Sequence, residues 1–272
     1  MKGRLLLLAV AVVVLLVPLV WTLLASLGLV PDNSTQPPSW SGPASLDHFA
    51  EVGIAEPSFW EELGTSTVSA LMATLITIAV AFPAAYALAR SGTGRETILA
   101  PVFIVLASLP AMSYVIPLSD VMRRAGLMDT LAGIVLSEAA VTAPLAVYVL
   151  HGAVRQLPIE WEEAAVLDGA GLARTLLLVV LPLVAPSVAA TAIVVFVIDW
   201  NMLLVPLVLT SGELKTVPVA MSDFFTFERD LQWPTAAAAL VISLVPLAVL
   251  CALFNRVLQR FTLEIAPKSS DE

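Results

Sequence analysis

Across its 272 residues the chain is 59% apolar and only 13% charged, with a formal net charge of −9 and one cysteine. A soluble domain of this length rarely carries so little charge, so lipid is the predicted solvent for most of the chain. The lone Cys251 excludes an internal disulfide and any multi-cysteine metal site, and His48 and His151 lie too far apart in sequence to suggest a ligand pair.

A membrane-crossing helix needs roughly 20 mostly apolar residues. Six such runs are predicted, over about 5–28, 63–89, 98–118, 130–152, 183–208 and 234–257. They are too long for barrel strands and lack alternation of period two, so the expected fold class is all-α: a polytopic membrane protein with six transmembrane helices. The first run follows Lys2 and Arg4 but exceeds the apolar core of a secretory signal, and 1–28 is read as an uncleaved first helix. Residues 29–62 form an external loop, irregular over 31–42, with a short amphipathic helix expected within 45–62. The remaining five helices make a core over 63–258, which includes a polar insert at 155–182, and 259–272 is a tail. Pro110 and Pro117 interrupt the third run, and the fourth carries Glu138 and Pro144.

Between Arg4 and Arg90 there is no Lys or Arg, whereas the first long loop holds Asp32, Asp47, Glu51, Glu56, Glu61 and Glu62. The positive-inside rule places that loop outside and both termini in the cytoplasm. The negative charge then sits largely in external loops and does not imply a basic partner. No nucleic-acid-binding pattern is present.

The insert at 155–182 has an architecture of its own. Pro158 suits the start of a helix, and Glu160, Glu162 and Glu163 fall at its positive end. Ala164 and Ala165 favour helix with little bulk, and Leu167 and Asp168 lead to Gly169, which with Gly171 permits a bend. A second helical stretch, 172–181, approaches Pro182 and Pro186 at the start of the fifth span. The pattern alone fits a passive connector on the bilayer surface as well as a docking element.

Within the fifth span, Asp199, Trp200 and Asn201 offer a carboxylate, an indole and an amide, the groups that bind hydroxyls and an apolar ring face. Helix–helix hydrogen bonding is the alternative use of such residues. Between the last two spans, Phe224, Phe225, Phe227 and Trp233 suit a contact surface or an interfacial aromatic belt.

Several spaced motifs resemble one family. Glu163-Ala164-Ala165, then Gly169, then Val179-Val180-Leu181-Pro182 is similar to the EAA signature of ABC-importer permeases. Tyr86-Ala87-Leu88-Ala89-Arg90, Gly126-Leu127-Met128-Asp129-Thr130, Pro158-Ile159-Glu160, and Trp200-Asn201 with Pro206-Leu207 and Leu209-Thr210 resemble further segments of the carbohydrate-uptake members. The closest likeness is to the smaller, maltose-transporter-type permease subunit, over roughly residues 60–255. Two places depart from it: Thr65-Ser66, where the family often has Asn-Ser, and the ending Phe261 to Pro267, which lacks the family's glycine-rich tail.

The resemblance implies a cytoplasmic coupling helix between the fourth and fifth spans, docked on a separate ATPase through Glu160, Glu162, Glu163, Ala164, Ala165, Leu167, Asp168 and Gly169. It implies an assembly in a bacterial cell membrane with two ATPase copies, a second permease and an external solute-binding protein. Phe224, Phe225 and Phe227 would meet the binding protein, and Asp199, Trp200 and Asn201 would line the path of a carbohydrate. This chain has no Gly-x-x-x-x-Gly-Lys-Ser/Thr loop. It is therefore expected to be no enzyme and to hold no cofactor, with ATP and magnesium bound by the partner. An importer for another solute, such as glycerol phosphate or a polyamine, and an ATP-independent secondary transporter are the alternatives.

Overall fold

The computed structural model describes residues 2–32, 39–40, 44–55, 59–92, 94, 96–212, 214–224 and 233–265. In chain order these form α1 (Lys2–Ser26), the two-residue strands β1 (Pro31–Asp32) and β2 (Ser39–Trp40), α2 (Asp47–Ala55), α3 (Phe59–Ala89), α4 (Glu96–Ala107) and α5 (Ala111–Arg124). There follow α6 (Leu131–Arg155), α7 (Glu160–Leu167), α8 (Leu172–Thr175), a π-helical turn (Leu176–Val180), α9 (Leu181–Trp200), α10 (Leu204–Leu209), α11 (Val217–Phe224) and α12 (Trp233–Ile265). The fold is helical; β1 and β2 merely pair antiparallel with each other.

Among the described residues, Phe59–Ala89, Leu131–Arg155 and Leu172–Trp200 are long and apolar enough to cross a membrane. A fourth crossing results if α4 and α5, bent by 89° to each other, form one broken span. Of the six predicted spans the described residues thus hold three or four, and the apolar stretches Val12–Ser26 and Pro234–Leu250 are shorter. The irregularity expected over 31–42 and the tail beyond 265 fall mainly outside the described residues.

Two prolines were expected to interrupt the third span, and they behave differently. Pro110 stands before α5 with φ −59° and ψ 136°, an extended geometry that ends the preceding helix. Pro117 lies inside α5, which continues through it. The fifth span also starts earlier than its prolines suggest, because α8, the π turn and α9 follow without a gap from Leu172 to Trp200. The wide turn precedes Pro182, where the ring would crowd the carbonyl four residues back and no N–H is available.

The chain divides into two compact units. The first comprises residues 1–64 and 216–247, the second 65–215 and 248–272. In the first, Val52, Phe59, Val217, Met221, Ala238 and Ala239 form a buried cluster. In the second, Ala81, Phe82 and Ala85 of α3 pack with Ala146, Val147, Leu150 and Val154 of α6 and with Val180, Val184 and Val195. A smaller cluster joins Val115 and Met122 of α5 to Val205 and Leu209 of α10. Many apolar side chains remain exposed, including Leu75, Ile98, Val105 and Val194. Such surface is stable only against lipid or a partner.

Candidate functional site: the signature helix and a buried polar layer

The segment carrying the signature folds as α7 and a tight C-terminal cap. Gly169 N–H donates to the Val166 carbonyl at 2.9 Å and Ala170 N–H to the Ala165 carbonyl at 2.9 Å. These are the two bonds of a Schellman cap, which requires a left-handed residue after the helix. Gly169 fills that position with φ +84°. The signature glycine is therefore the residue that stops α7 and turns the chain towards α8.

The carboxylates of α7 face in different directions. Glu160, Glu163 and Asp168 are exposed, as are Ala164, Leu167 and Gly169, while Ala165 is half-buried. Leu167 is 88% exposed and Trp161 59%, an unusual display for large apolar groups outside a span. Glu162 differs from the residues grouped with it in the sequence, because its side chain is buried and turned towards α3. Its Oε1 accepts from Arg90 Nε at 2.9 Å and from Arg90 Nη2 at 2.7 Å, and its Oε2 accepts from Tyr86 Oη at 2.8 Å. Arg90 Nη2 also donates to the Leu157 carbonyl at 3.0 Å. A cavity of about 750 Å³ opens beside this cluster, lined by Tyr86, Arg90, Ile159, Glu162, Val166 and Leu172. The clue to this contact was the four-residue spacing of Tyr86 and Arg90, which puts both on one face of a helix.

A second constellation lies among α3, α6 and α9. Glu138 and Asp199 are 1% and 3% exposed, and they lie close enough for their charges to interact. Ser69 is within hydrogen-bonding reach of the Glu138 carboxyl, and Thr142 and Thr74 face Asp199. Neither threonine satisfies it, since Thr74 donates to the Ala70 carbonyl at 2.7 Å and Thr142 to the Glu138 carbonyl at 3.0 Å. Both Asp199 oxygens and Glu138 Oε2 are consequently without a hydrogen-bond partner. Thr77 of α3 meets the Thr142 hydroxyl at 3.1 Å, which ties α3 to α6 within the same layer. Of the predicted path residues, Asp199 and Trp200 are buried and Asn201 is exposed. Trp200 stacks on Phe196 with ring centroids 5.8 Å apart. Sequence spacing does not pair Glu138 with Asp199; the two become neighbours only through the packing of α6 on α9.

The segment Gly126–Thr130 is a structural joint. Gly126 and Asp129 have positive φ, +69° and +54°, and the Thr130 hydroxyl caps α6 by accepting from Gly133 N–H at 3.0 Å. Among the predicted binding-protein contacts, Phe225 and Phe227 lie outside the described residues, and Phe224 ends α11. Among the described residues no group of three or more His, Cys, Asp or Glu could hold a metal ion.

Similarity to known proteins points to one family. A family model described as "Binding-protein-dependent transport system inner membrane component" matches residues 78–263. The trehalose/maltose transport system permease protein MalG of Thermococcus litoralis is 30% identical over 249 residues, covering 90% of this chain and 88% of that protein. The trehalose transport system permease protein SugB of Mycobacterium tuberculosis is 36% identical over 190 residues, 68% of this chain and 69% of its own. Among solved structures, a chain of a bacterial ABC transporter that imports the acidic polysaccharide alginate superposes with a TM-score of 0.75 at 18% identity, over 93% of this chain and 94% of that one. At that identity the likeness is one of fold.

Proposed function

The chain belongs to the family of binding-protein-dependent transport system inner membrane components, and from that premise we propose that it is the membrane permease of an ATP-driven sugar importer. Relatives named for trehalose, maltose and diacetylchitobiose support a carbohydrate as the cargo. The chain crosses the membrane of a bacterial cell six times with both termini in the cytoplasm, as its Lys and Arg distribution suggests. An external binding protein delivers the sugar, and a second permease subunit completes the passage. Two copies of a separate ATPase bind ATP and magnesium.

The observation that carries the coupling role is the outward face of α7: Glu160, Glu163, Asp168 and the 88%-exposed Leu167 stand free beside a helix end fixed by Gly169. An acidic, apolar-tipped helix of eight residues suits insertion into a groove on a partner. ATP-driven closure of the ATPases would move α7 and swing the spans between inward and outward access. Asn201, exposed at the end of α9, is the member of its triad available to sugar, whereas Asp199 and Trp200 are buried. Phe224, Phe225 and Phe227 are assigned to the binding-protein side.

The test is reconstitution with the ATPase and binding protein. Glu163→Ala and Gly169→Val should remove substrate-stimulated ATP hydrolysis while the permease stays inserted, and radiolabelled disaccharides should enter vesicles only with the wild type. Normal coupled hydrolysis in both variants would overturn the docking role, and uptake of non-sugar solutes alone would overturn the cargo class.

A further inference from the structure

Three helices meet α7, but only two are joined to it directly along the chain. Residues 156–159 connect α6 to α7, and 168–171 connect α7 to α8 and so to α9. Arg90, at the end of α3, lies 72 positions before Glu162, so any motion of α7 reaches α3 through side chains. We propose that Arg90 and Tyr86 grip Glu162 as a handle. In this arrangement Glu162 is a positioning residue that couples α3 to α7 and is not an ATPase contact. The inference rests on the reading of α7 as the docking helix.

The geometry suits this task. Both Glu162 oxygens are engaged by α3, one by two nitrogens of Arg90 and the other by the Tyr86 hydroxyl. Two donors from one guanidinium fix orientation as well as distance, which a lysine ammonium cannot reproduce. The Arg90 and Glu162 side chains are 16% and 9% exposed, so little water is at hand to replace the contact, and separation would strand two poorly solvated charges. The pair therefore moves as one body. Arg90 also holds the Leu157 carbonyl, so a single guanidinium joins the end of α3, the link from α6, and α7.

What α3 carries further along its length gives the grip its use. Thr77 bonds Thr142 of α6, and Ser69 lies against the Glu138 carboxyl. A displacement of α7 drawn along α3 thus arrives at the buried layer around Glu138 and Asp199. The outward carboxylates Glu160, Glu163 and Asp168 remain for docking. The inward and outward acids of one short helix divide two tasks.

The experiment uses the reconstituted complex and reads two quantities: ATPase retained with the tagged permease, and the ratio of substrate-stimulated to basal hydrolysis. Arg90→Ala and Glu162→Ala should retain the ATPase yet lower that ratio about tenfold or more, the scale of a lost buried charge-assisted contact. Tyr86→Phe, which removes one bond, should lower it less. The exchanged pair Arg90→Glu with Glu162→Arg should recover most of the ratio, and Arg90→Lys should not. Wild-type stimulation in Arg90→Ala or Glu162→Ala would overturn the proposal. So would loss of the ATPase in Glu162→Ala but not in Arg90→Ala, which would make Glu162 a docking residue. Failure of the exchanged pair to recover any stimulation counts against it as well. The docking reading itself fails separately, through Glu163→Ala and Gly169→Val.

Discussion

Asp129 and Ser211, 82 positions apart, are joined twice: Ser211 N–H donates to Asp129 Oδ1, and the Ser211 hydroxyl donates to Oδ2 at 2.9 Å. Asp129 N–H also donates to the Leu209 carbonyl at 3.0 Å, so one residue before α6 holds the end of α10. Its φ of +54° is a conformation that Asp and Asn tolerate better than other side chains do. Asp129→Ala should lower the thermal midpoint in detergent by the equivalent of about 1–2 kcal/mol, from lost bonds and backbone strain together. Asp129→Asn keeps an acceptor and the backbone preference, and its loss should be the smaller. Equal midpoints for the two variants would contradict this account.

The first turn of α6 makes a sharper demand. A Cβ on Gly133 would stand 2.1 Å from the Leu127 carbonyl oxygen and 3.2 Å from Thr130 Oγ1. The nearest obstacle is backbone, so it cannot rotate away. Gly133→Ala should cost about 1–3 kcal/mol as the Gly126–Thr130 turn is forced open. Thr130→Ala adds no bulk and loses the cap together with the hydroxyl's 2.8 Å bond to the Leu127 carbonyl, about 1–2 kcal/mol. Tryptic cleavage within 123–130 is the measurement: it should accelerate more in Gly133→Ala than in Thr130→Ala.

Much of this fold is written locally. The runs of apolar residues give the long helices, and the spacing from Glu163 to Gly169 is visible because a helix cap is chemistry within a few residues. What sequence did not reveal depends on distant partners. Only Glu163 belongs to the signature, and nothing local shows that its neighbour Glu162 turns inward; that depends on Arg90 and Tyr86 of a distant segment. Pro110 and Pro117 read alike, yet one stands in the break before α5 and the other sits within that helix on its exposed side, opposite the buried Val115, Ser119 and Met122. Asp199 was legible as a costly intramembrane acid, whereas Glu138 needed the packing of α6 on α9 to become its neighbour.

Gly169 tests whether the signature glycine is there for space or for backbone freedom. Nothing lies within 4 Å of a Cβ built on it, so bulk is not the obstacle. Its φ of +84° is. A non-glycine residue in the left-handed region costs about 1–2 kcal/mol, and Asn pays less than Ala or a β-branched residue. ATPase retention should therefore fall in the order Gly, Asn, Ala, Val at position 169. A series ordered by side-chain size alone, with Ala above Asn, would show that partner contact sets the requirement.

The buried acids give the last prediction. Glu138 and Asp199 come from different helices, are almost fully enclosed, and leave three of their four oxygens without a hydrogen bond. Enclosed acids with too few donors are costly, and a second acid close by adds to the cost of ionising either. Glu138→Gln and Asp199→Asn keep shape while removing the ionisable group, and each amide brings donors to the acceptors around it. Both variants should melt at or above the wild-type midpoint in detergent. Asp199→Ala instead opens a void beside Trp200 and should melt lower by the equivalent of about 1–3 kcal/mol. Destabilisation by Asn equal to that by Ala would mean that the carboxylate itself holds α9 in place. Coupled transport supplies the second readout: if Asp199→Asn is stable but slow in uptake, the charge serves the transport cycle and not the fold.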